Sequence, residues 1–417
     1  MMMNHTRRRV AMVAAVAAGT LTLGACSSTG SADAGTDDVV TVWHYFTDDQ
    51  QVKLVEEYKA LFESSNPDAT VENVYVPYDQ LNSKLISAAG AGQGPDVVVF
   101  NGADASTLAL AGALAPLDEY WDGFEDAAEF PDAAIHQVEG TTYAVQGYVN
   151  VLGLWYNADL LAEVGVEAPT TMDELEAAMA ASVAAGHGGI TLSGLPNSQG
   201  EWQGYPWLSD AGFDYDNLDQ DAFEAGLARI ANWVDEGWLP QEAVNWDQTV
   251  PFQQFAAGDY AFAANGNWQQ GTAAAEAGFE YGVVPLPLGT DGQVYLGGEG
   301  EAIGAFSDNP DLAWEYLKST YYSAEGQLLA PEIVGSLPTR TDAAADDVVT
   351  SNELLAAFAE TIDLYGASYP STAVPADAVA DLQLTVGQAW SSVIGRQSTP
   401  ADAAASAIAT LMGLLGR

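Results

Sequence analysis

Cysteine is almost missing from this sequence. The one present is Cys26, so neither a disulfide framework nor a cysteine-rich zinc site can form within the chain. Positive charge is nearly as scarce. Only 11 Lys and Arg stand against 58 Asp and Glu, a formal charge of −47. Arg7, Arg8 and Arg9 precede every acid; without them eight cations face 58 acids, or −50. A surface of that sign repels phosphate backbones and anionic headgroups, which argues against nucleic acid as a partner. It reads either as a solubility or high-salt adaptation or as a field that draws a cationic ligand.

Signatures of catalysis and cofactors are also lacking. His44, His136 and His187 fall in separate segments and form no metal-ligand pair at helical spacing. No HExxH and no GxSxG occurs. None of the four lysines follows a glycine, so there is no P-loop. Gly298-x-Gly300 with Gly304 has the wrong spacing for a dinucleotide fingerprint. Asp214-x-Asp216 with Asp219 and Asp221 resembles half of a calcium loop, but Leu218 and Asp219 stand where such a loop needs a polar ligand and a glycine. A solvated acidic turn ending in a helix cap is the other reading. Among so many acids no pair stands out as the two carboxylates of a glycosidase, which stays an alternative. No catalytic residue, cofactor or metal is assigned.

What is present begins with an apolar run from Val10 to Leu23 behind the three arginines. A basic start, a short apolar stretch and small residues before a cut site make a secretory signal, too short for a comfortable membrane span. Leu23-Gly24-Ala25-Cys26 resembles the bacterial lipobox, whose cysteine is lipidated and becomes the new N-terminus. The expectation is a signal peptide at 1–25 and a lipid-anchored tether at 26–38, rich in Ser, Gly, Ala and Asp, with a reach of ~20 Å. The folded body would then sit at the extracytoplasmic face of the cell membrane, held only by that anchor.

The body has apolar material for a large core, 48 % of residues with 10 % aromatic. From residue 39 short β runs alternate with helical patterns. Strands are expected at 39–46, 70–76 and 97–100, helices at 49–62 and 79–89, an order typical of a parallel sheet covered by helices. Val97-Val98-Val99-Phe100 reads as a strand buried on both faces. The pattern continues with strands at 152–156, 190–193, 260–264 and 281–284. Thr171-x-x-Glu174 is a capping box opening a helix, and 221–236 is a second. Thr290-Asp291-Gly292 looks like a hairpin turn. After residue 311 the pattern is nearly all helical: 311–322, 352–364, 376–393 and 399–415. The fold class is α/β, two lobes with a helical C-terminal portion.

Several aromatics sit where ligands bind in open α/β sheets, beyond the carboxyl ends of strands. Trp43-His44-Tyr45 enters a loop. Trp202, Tyr205 and Trp207 fall in a Gly/Pro/Gln-rich stretch, 197–208, without clear periodicity, and Trp268 follows Asn265-Gly266-Asn267. Aromatic rings stack on the apolar faces of sugars while amides and carboxylates bond the hydroxyls, so this mixture suits carbohydrate.

Five stretches carry a family resemblance. They are Gly94-Pro95-Asp96-Val97 with Leu114-Ala115-Pro116-Leu117-Asp118; Tyr143-Ala144-Val145 through Leu154-Trp155-Tyr156-Asn157 to Asp173-Glu174-Leu175; Phe255-Ala256-Ala257-Gly258 through Gly266-Asn267-Trp268; Gly297-Gly298 to Ala313-Trp314-Glu315-Tyr316-Leu317; and Leu337-Pro338-Thr339-Arg340. In this order the chain resembles the extracellular solute-binding proteins of carbohydrate ABC importers, the group that includes maltose-binding protein. The resemblance implies two discontinuous α/β lobes, 39–147 with 299–340 and 148–298 with 341–417, joined by crossovers near 145–150, 296–301 and 337–342. It implies a monomeric, non-enzymatic receptor that captures a mono- or oligosaccharide and hands it to permease subunits. A same-fold receptor for a cationic non-sugar solute is the alternative. The aromatic clusters and the resemblance together give a candidate ligand-binding set: Trp43, His44, Tyr45, Asn101, Asp104, Gln146, Tyr148, Trp202, Asn267, Trp268, Gly298, Glu299 and Arg340. Val145-Gln146 and Glu301 depart from the family pattern at the expected cleft, and Met172 departs on an outer helix.

Overall fold

Alternation along the first strand fixes the first lobe. In Asp38–His44 the side chains of Val40, Val42 and His44 are buried. The following helix, Asp49–Ser65, is opened by Asp48, whose carboxylate accepts from the Gln50 and Gln51 amides. Leu54, Val55, Tyr58 and Phe62 form its buried stripe. The computed structural model describes residues 38–417; the expected signal peptide, Cys26 and tether as far as residue 37 lie outside the described residues.

The first sheet runs in the order Ala69–Tyr75, Asp38–His44, Val97–Asn101, Glu299–Ile303, Thr141–Val145, Ile135–Val138. Its first three strands are parallel. Val97 to Phe100 are all fully buried, because helices and loops cover both faces. The strand Glu299–Ile303 inserts antiparallel between Val97–Asn101 and Thr141–Val145. The helices Pro310–Ser319 and Ala324–Ile333 bury Ala313, Trp314, Tyr316, Leu317 and Ala330 in the same core as Val40 and Val42.

The second sheet orders Tyr281–Val284, Leu152–Asn157, Tyr260–Gly266 and Gly188–Thr191. Only the last pair is parallel, so the parallel pattern expected from βα alternation does not continue here. The expected hairpin at 290–292 is also corrected. The strand Val294–Leu296 pairs with Gly366–Ser368 instead of folding back on Tyr281–Val284. The stretch at 197–208 is a helix, Ser198–Asp210. It showed no periodicity because Gln199 to Ser209 are all buried, leaving no polar face. Asp219 caps the helix Gln220–Asp235, accepting from the Asp221 and Ala222 amides, and Asp214 accepts from the Asn217 amide in the turn before it.

The helix Val379–Ile394 packs so closely on Ser198–Asp210 that glycine is required where they meet. A Cβ at Gly387 would lie 2.0 Å from the Asn197 carbonyl oxygen, a backbone atom that cannot rotate away. Gly387→Ala is therefore expected to cost about 2–3 kcal/mol in a denaturant melt. Gly413→Ala, in the helix Pro400–Leu414 with nothing within 4 Å, should be neutral or stabilising. Equal effects of the two changes would refute the close-approach reading.

Three passages join the lobes side by side. Tyr148–Val149 pairs with Leu337–Pro338, and Asn150 pairs with Gly297. Asn267 ties two of them to the second sheet. It accepts from the Val151 amide at 2.8 Å and donates to the carbonyls of Val149 at 3.0 Å and Gly335 at 3.1 Å.

Candidate functional site

A cleft of about 570 Å³ opens where strands of both sheets end. After the parallel strands of the first sheet come Tyr45 and Asp48, then Pro77 and Tyr78, and Asn101 at the end of its own strand. From the second sheet, Gly188–Thr191 leads to 195–199 and Trp202, and Tyr260–Gly266 leads to Trp268 and Gln269. Gly298, Glu299 and Asn150 come from the passages between the lobes, and Tyr369 from the loop after Gly366–Ser368. Carboxyl ends of strands are where the fold leaves backbone and side chains free to reach a ligand.

Each tryptophan of the cleft lies against a glycine. A Cβ on Gly266 would fall 1.8 Å from the Trp268 ring, and one on Gly297 would fall 2.2 Å from the Trp202 ring. Any side chain at those glycines would push the indoles out of place. Trp202 is also held by Tyr295, stacked at 5.9 Å, and Tyr369, edge-on at 4.8 Å. Tyr45 and Tyr78 meet edge-on at 5.0 Å. Asn101 Nδ2 donates to the Tyr78 hydroxyl, which reaches across to the Ser198 hydroxyl at 3.1 Å. Thr272 donates across to Asp48 at 3.0 Å.

Among the described residues the cleft is lined by four carboxylates, Asp48, Asp79, Asp247 and Glu299, and by no Lys, Arg or His. Asp48 and Asp247 are fixed as acceptors at helix starts. Glu299 is different: it is 5 % exposed. Burial pushes its carboxyl up to about 7, against hydrogen bonds from Tyr45 and Tyr148 that favour the charged form. Nothing in this lining forms an activated nucleophile. What it offers is flat rings, amides and acceptors.

Of the candidate set, Tyr45, Asn101, Trp202, Trp268, Gly298 and Glu299 line the cleft. The others lie elsewhere, each for a visible reason. The Trp43 ring packs under the Lys84 ammonium at 4.7 Å. His44 is buried on the opposite face, its Nδ1 accepting from the Phe46 amide; burial lowers it to about 4, so the ring is neutral. Asp104 is buried behind Tyr45 and Tyr78, raised to about 6 by burial. Gln146 donates to the Gly297 carbonyl at 2.8 Å, and Tyr148 is packed against Tyr321. Asn267 is consumed by the passages, as described above. Arg340 is held by Asp126, Asp342 and the Tyr322 carbonyl. Glu301, expected at the cleft, is fully buried in the first lobe and accepts from the Gly147 amide at 2.7 Å. Tyr205 and Trp207 are core residues.

Tyr78, Asn150, Gln199, Gln248 and Tyr369 line the cleft but were not singled out in the sequence. Tyr78 was findable, since it follows a parallel strand as Tyr45 does. Tyr369 carried no such signal.

Residues 54–357 match the family described as bacterial extracellular solute-binding protein. A maltotriose-binding protein of Pyrococcus abyssi (strain GE5 / Orsay) is 26 % identical over 362 residues, covering 80 % of this chain and 73 % of that one. The GacH receptor of Streptomyces glaucescens GLA.O, solved unliganded and with acarbose, superposes with a TM-score of 0.81 and 27 % identity, over 91 % of this chain and 98 % of that one. A maltose-bound MalE3 of T. maritima gives a TM-score of 0.81 at 22 % identity, over 90 % and 99 %. Two lobes around a strand-end cleft and a family match over most of the folded body agree: this chain belongs to the bacterial extracellular solute-binding proteins.

Proposed function

We propose that the protein captures an oligosaccharide between its lobes and delivers it, unchanged, to the permease of an ABC importer. The observation that carries this reading is the lining of the cleft. Trp202 and Trp268, with Tyr45, Tyr78 and Tyr369, supply aromatic rings, and Asn101, Asn150, Gln199, Gln248 and Gln269 supply amides. The maltotriose-binding relative and the acarbose-bound receptor support it. The proposed lobe limits are 39–147 with 299–340 and 148–298 with 341–417. Anchoring through a lipid on Cys26 and action as a monomer belong to the same proposal.

A panel of oligosaccharides tested by thermal shift decides the reading. A true ligand at a hundredfold excess over Kd should stabilise the fold by about 2.7 kcal/mol, and no product should form on incubation. No stabilisation by any sugar would reject it. The second reading, a cationic solute, is favoured by four carboxylates without a lining cation. It predicts affinity that falls steeply with salt, whereas a neutral sugar has no Coulomb interaction to screen.

A further inference from the structure

A buried polar relay connects the cleft wall to all three passages between the lobes. It begins in the wall, where the Tyr45 hydroxyl donates to Glu299 Oε1 at 2.7 Å. The other Glu299 oxygen accepts from Asn150 Nδ2 at 3.2 Å. Asn150 stands on the first passage. Its backbone exchanges two hydrogen bonds of 2.9 Å with Gly297, on the second. Its Oδ1 accepts from Ser336 Oγ at 2.7 Å, on the third. One asparagine thus touches every connection that must bend if the lobes move, and one glutamate ties that asparagine to the cleft.

The charge state of Glu299 decides whether the tie can hold. An ionised carboxylate is acceptor-only and takes the Tyr45 and Asn150 donors together. A protonated carboxyl has a hydrogen to donate where one of those donors pointed. The titratable groups that act on Glu299 or on its tyrosine partners come from every element around it. Tyr45 and Tyr78 lie on the cleft side, with Asp104 behind them, and Tyr58 comes from the first helix. Tyr148 comes from the first passage and Tyr321 from the loop before Ala324–Ile333, with Glu301 two residues along the same strand. None is a cation, so the negative charge is held by neutral donors alone.

We propose, on the basis of the oligosaccharide reading above, that Glu299 is a positioning residue coupling ligand capture to the hinge: ionised, it holds Tyr45 in the cleft wall and Asn150 on the passages together, and loss of its charge releases one of them. A ligand hydroxyl that donates to Glu299 from the cleft favours the ionised form and tightens the same relay. With burial holding the carboxyl near 7, the ionised fraction falls about tenfold between pH 8 and pH 6.

The test has an arm without ligand. Hydrogen exchange at the Asn150 and Gly297 amides, corrected for intrinsic rates, should lose protection in the wild type as pH falls from 8 to 6. Glu299→Gln should show low protection that does not change with pH. Tyr45→Phe, which removes one donor to the ionised form, should move the transition to higher pH, an effect that a merely structural role would not produce. In the second arm maltotriose affinity should fall about tenfold across the same range in the wild type and less than twofold in Glu299→Gln. Flat protection in the wild type, or a Glu299→Gln profile that follows it, would overturn the relay. Absence of maltotriose binding counts against the oligosaccharide reading only, because the exchange arm still decides the relay.

Discussion

Trp268→Ala should weaken oligosaccharide binding by roughly 30- to 1000-fold, about 2–4 kcal/mol, by analogy with aromatic anchors at other interfaces. The indole is partly exposed at the cleft and lies close against Gly266. It borders the core of the second lobe without being enclosed by it. Removing it takes away a rigid face for a sugar ring and less packing than the truncation of a fully buried ring would. Trp202 is a poorer test. At 6 % exposure it is wedged among Tyr295, Tyr369 and Gly297, so its truncation removes core contacts as well. Calorimetric titration with the best sugar of the panel, and a ligand-free melt of the same variant, separate the two roles. Unchanged affinity, or a melt lowered as far as a core truncation would lower it, would remove Trp268 from the site.

Stability should fall as the solution is made alkaline. The folded protein should melt ~5–10 °C higher at pH 6 than at pH 8.5, at roughly 2 °C per kcal/mol for a chain of this size. Glu201, Glu299 and Glu301 are buried. Burial pushes Glu201 and Glu299 up to about 7 and holds Glu301 well above the usual carboxylate range. Glu301 is the extreme case: one oxygen has no partner, and Glu299 adds its repulsion. A carboxyl that titrates higher folded than unfolded binds more protons in the native state between the two values. For Glu201 and Glu299 the stabilising proton is fully held below about 4.5 and is lost as pH rises through 7, at a cost on the order of 3 kcal/mol each; Glu301 contributes in the same direction. His44 and His136 work the other way. Burial lowers both to about 4, so their contribution is lost as pH falls from 6.5 towards 4. Between pH 4.5 and 6.5 the two histidines offset two of the three carboxyls, so the steepest net fall comes above pH 6.5. Glu301→Gln keeps an acceptor for the Gly147 amide without the charge, and should raise stability at pH 8.5. A melting profile that is level or rises between pH 6 and 8.5 contradicts the assignment.

How much was legible follows from which residues carry a local signal. Val97 to Phe100 and the Thr171–Glu174 capping box announce themselves, because a doubly buried strand and a helix start each have a short-range pattern. Tyr45 and Trp268, singled out by the strand-end rule, line the cleft for the same reason. Trp43 does not line it: it shares a face of the strand with Tyr45 but lies two residues earlier, where its ring packs under Lys84 instead. Arg340 looked available until Asp126, more than two hundred residues away in sequence, was seen to hold it. The helix Ser198–Asp210 was hidden by its complete burial, with Gln199, Glu201 and Gln203 inside among the aromatics. Polar groups at core positions erase the periodicity on which helix recognition depends.

The strand Glu299–Ile303 sits in the middle of the first sheet, between partners that end at Asn101 and Val145. A chain emerging from its N-terminus makes those partners long before it makes the strand that joins them. Until residue 303 is available, both present unpaired edges, the kind of surface that recruits other strands. Closing the sheet must await a contact distant in sequence, with its full loop entropy, which slows folding and lengthens the exposed interval. The topology therefore delays the native state until most of the polypeptide has been synthesised, and leaves the nascent first lobe dependent on whatever shields its edges meanwhile.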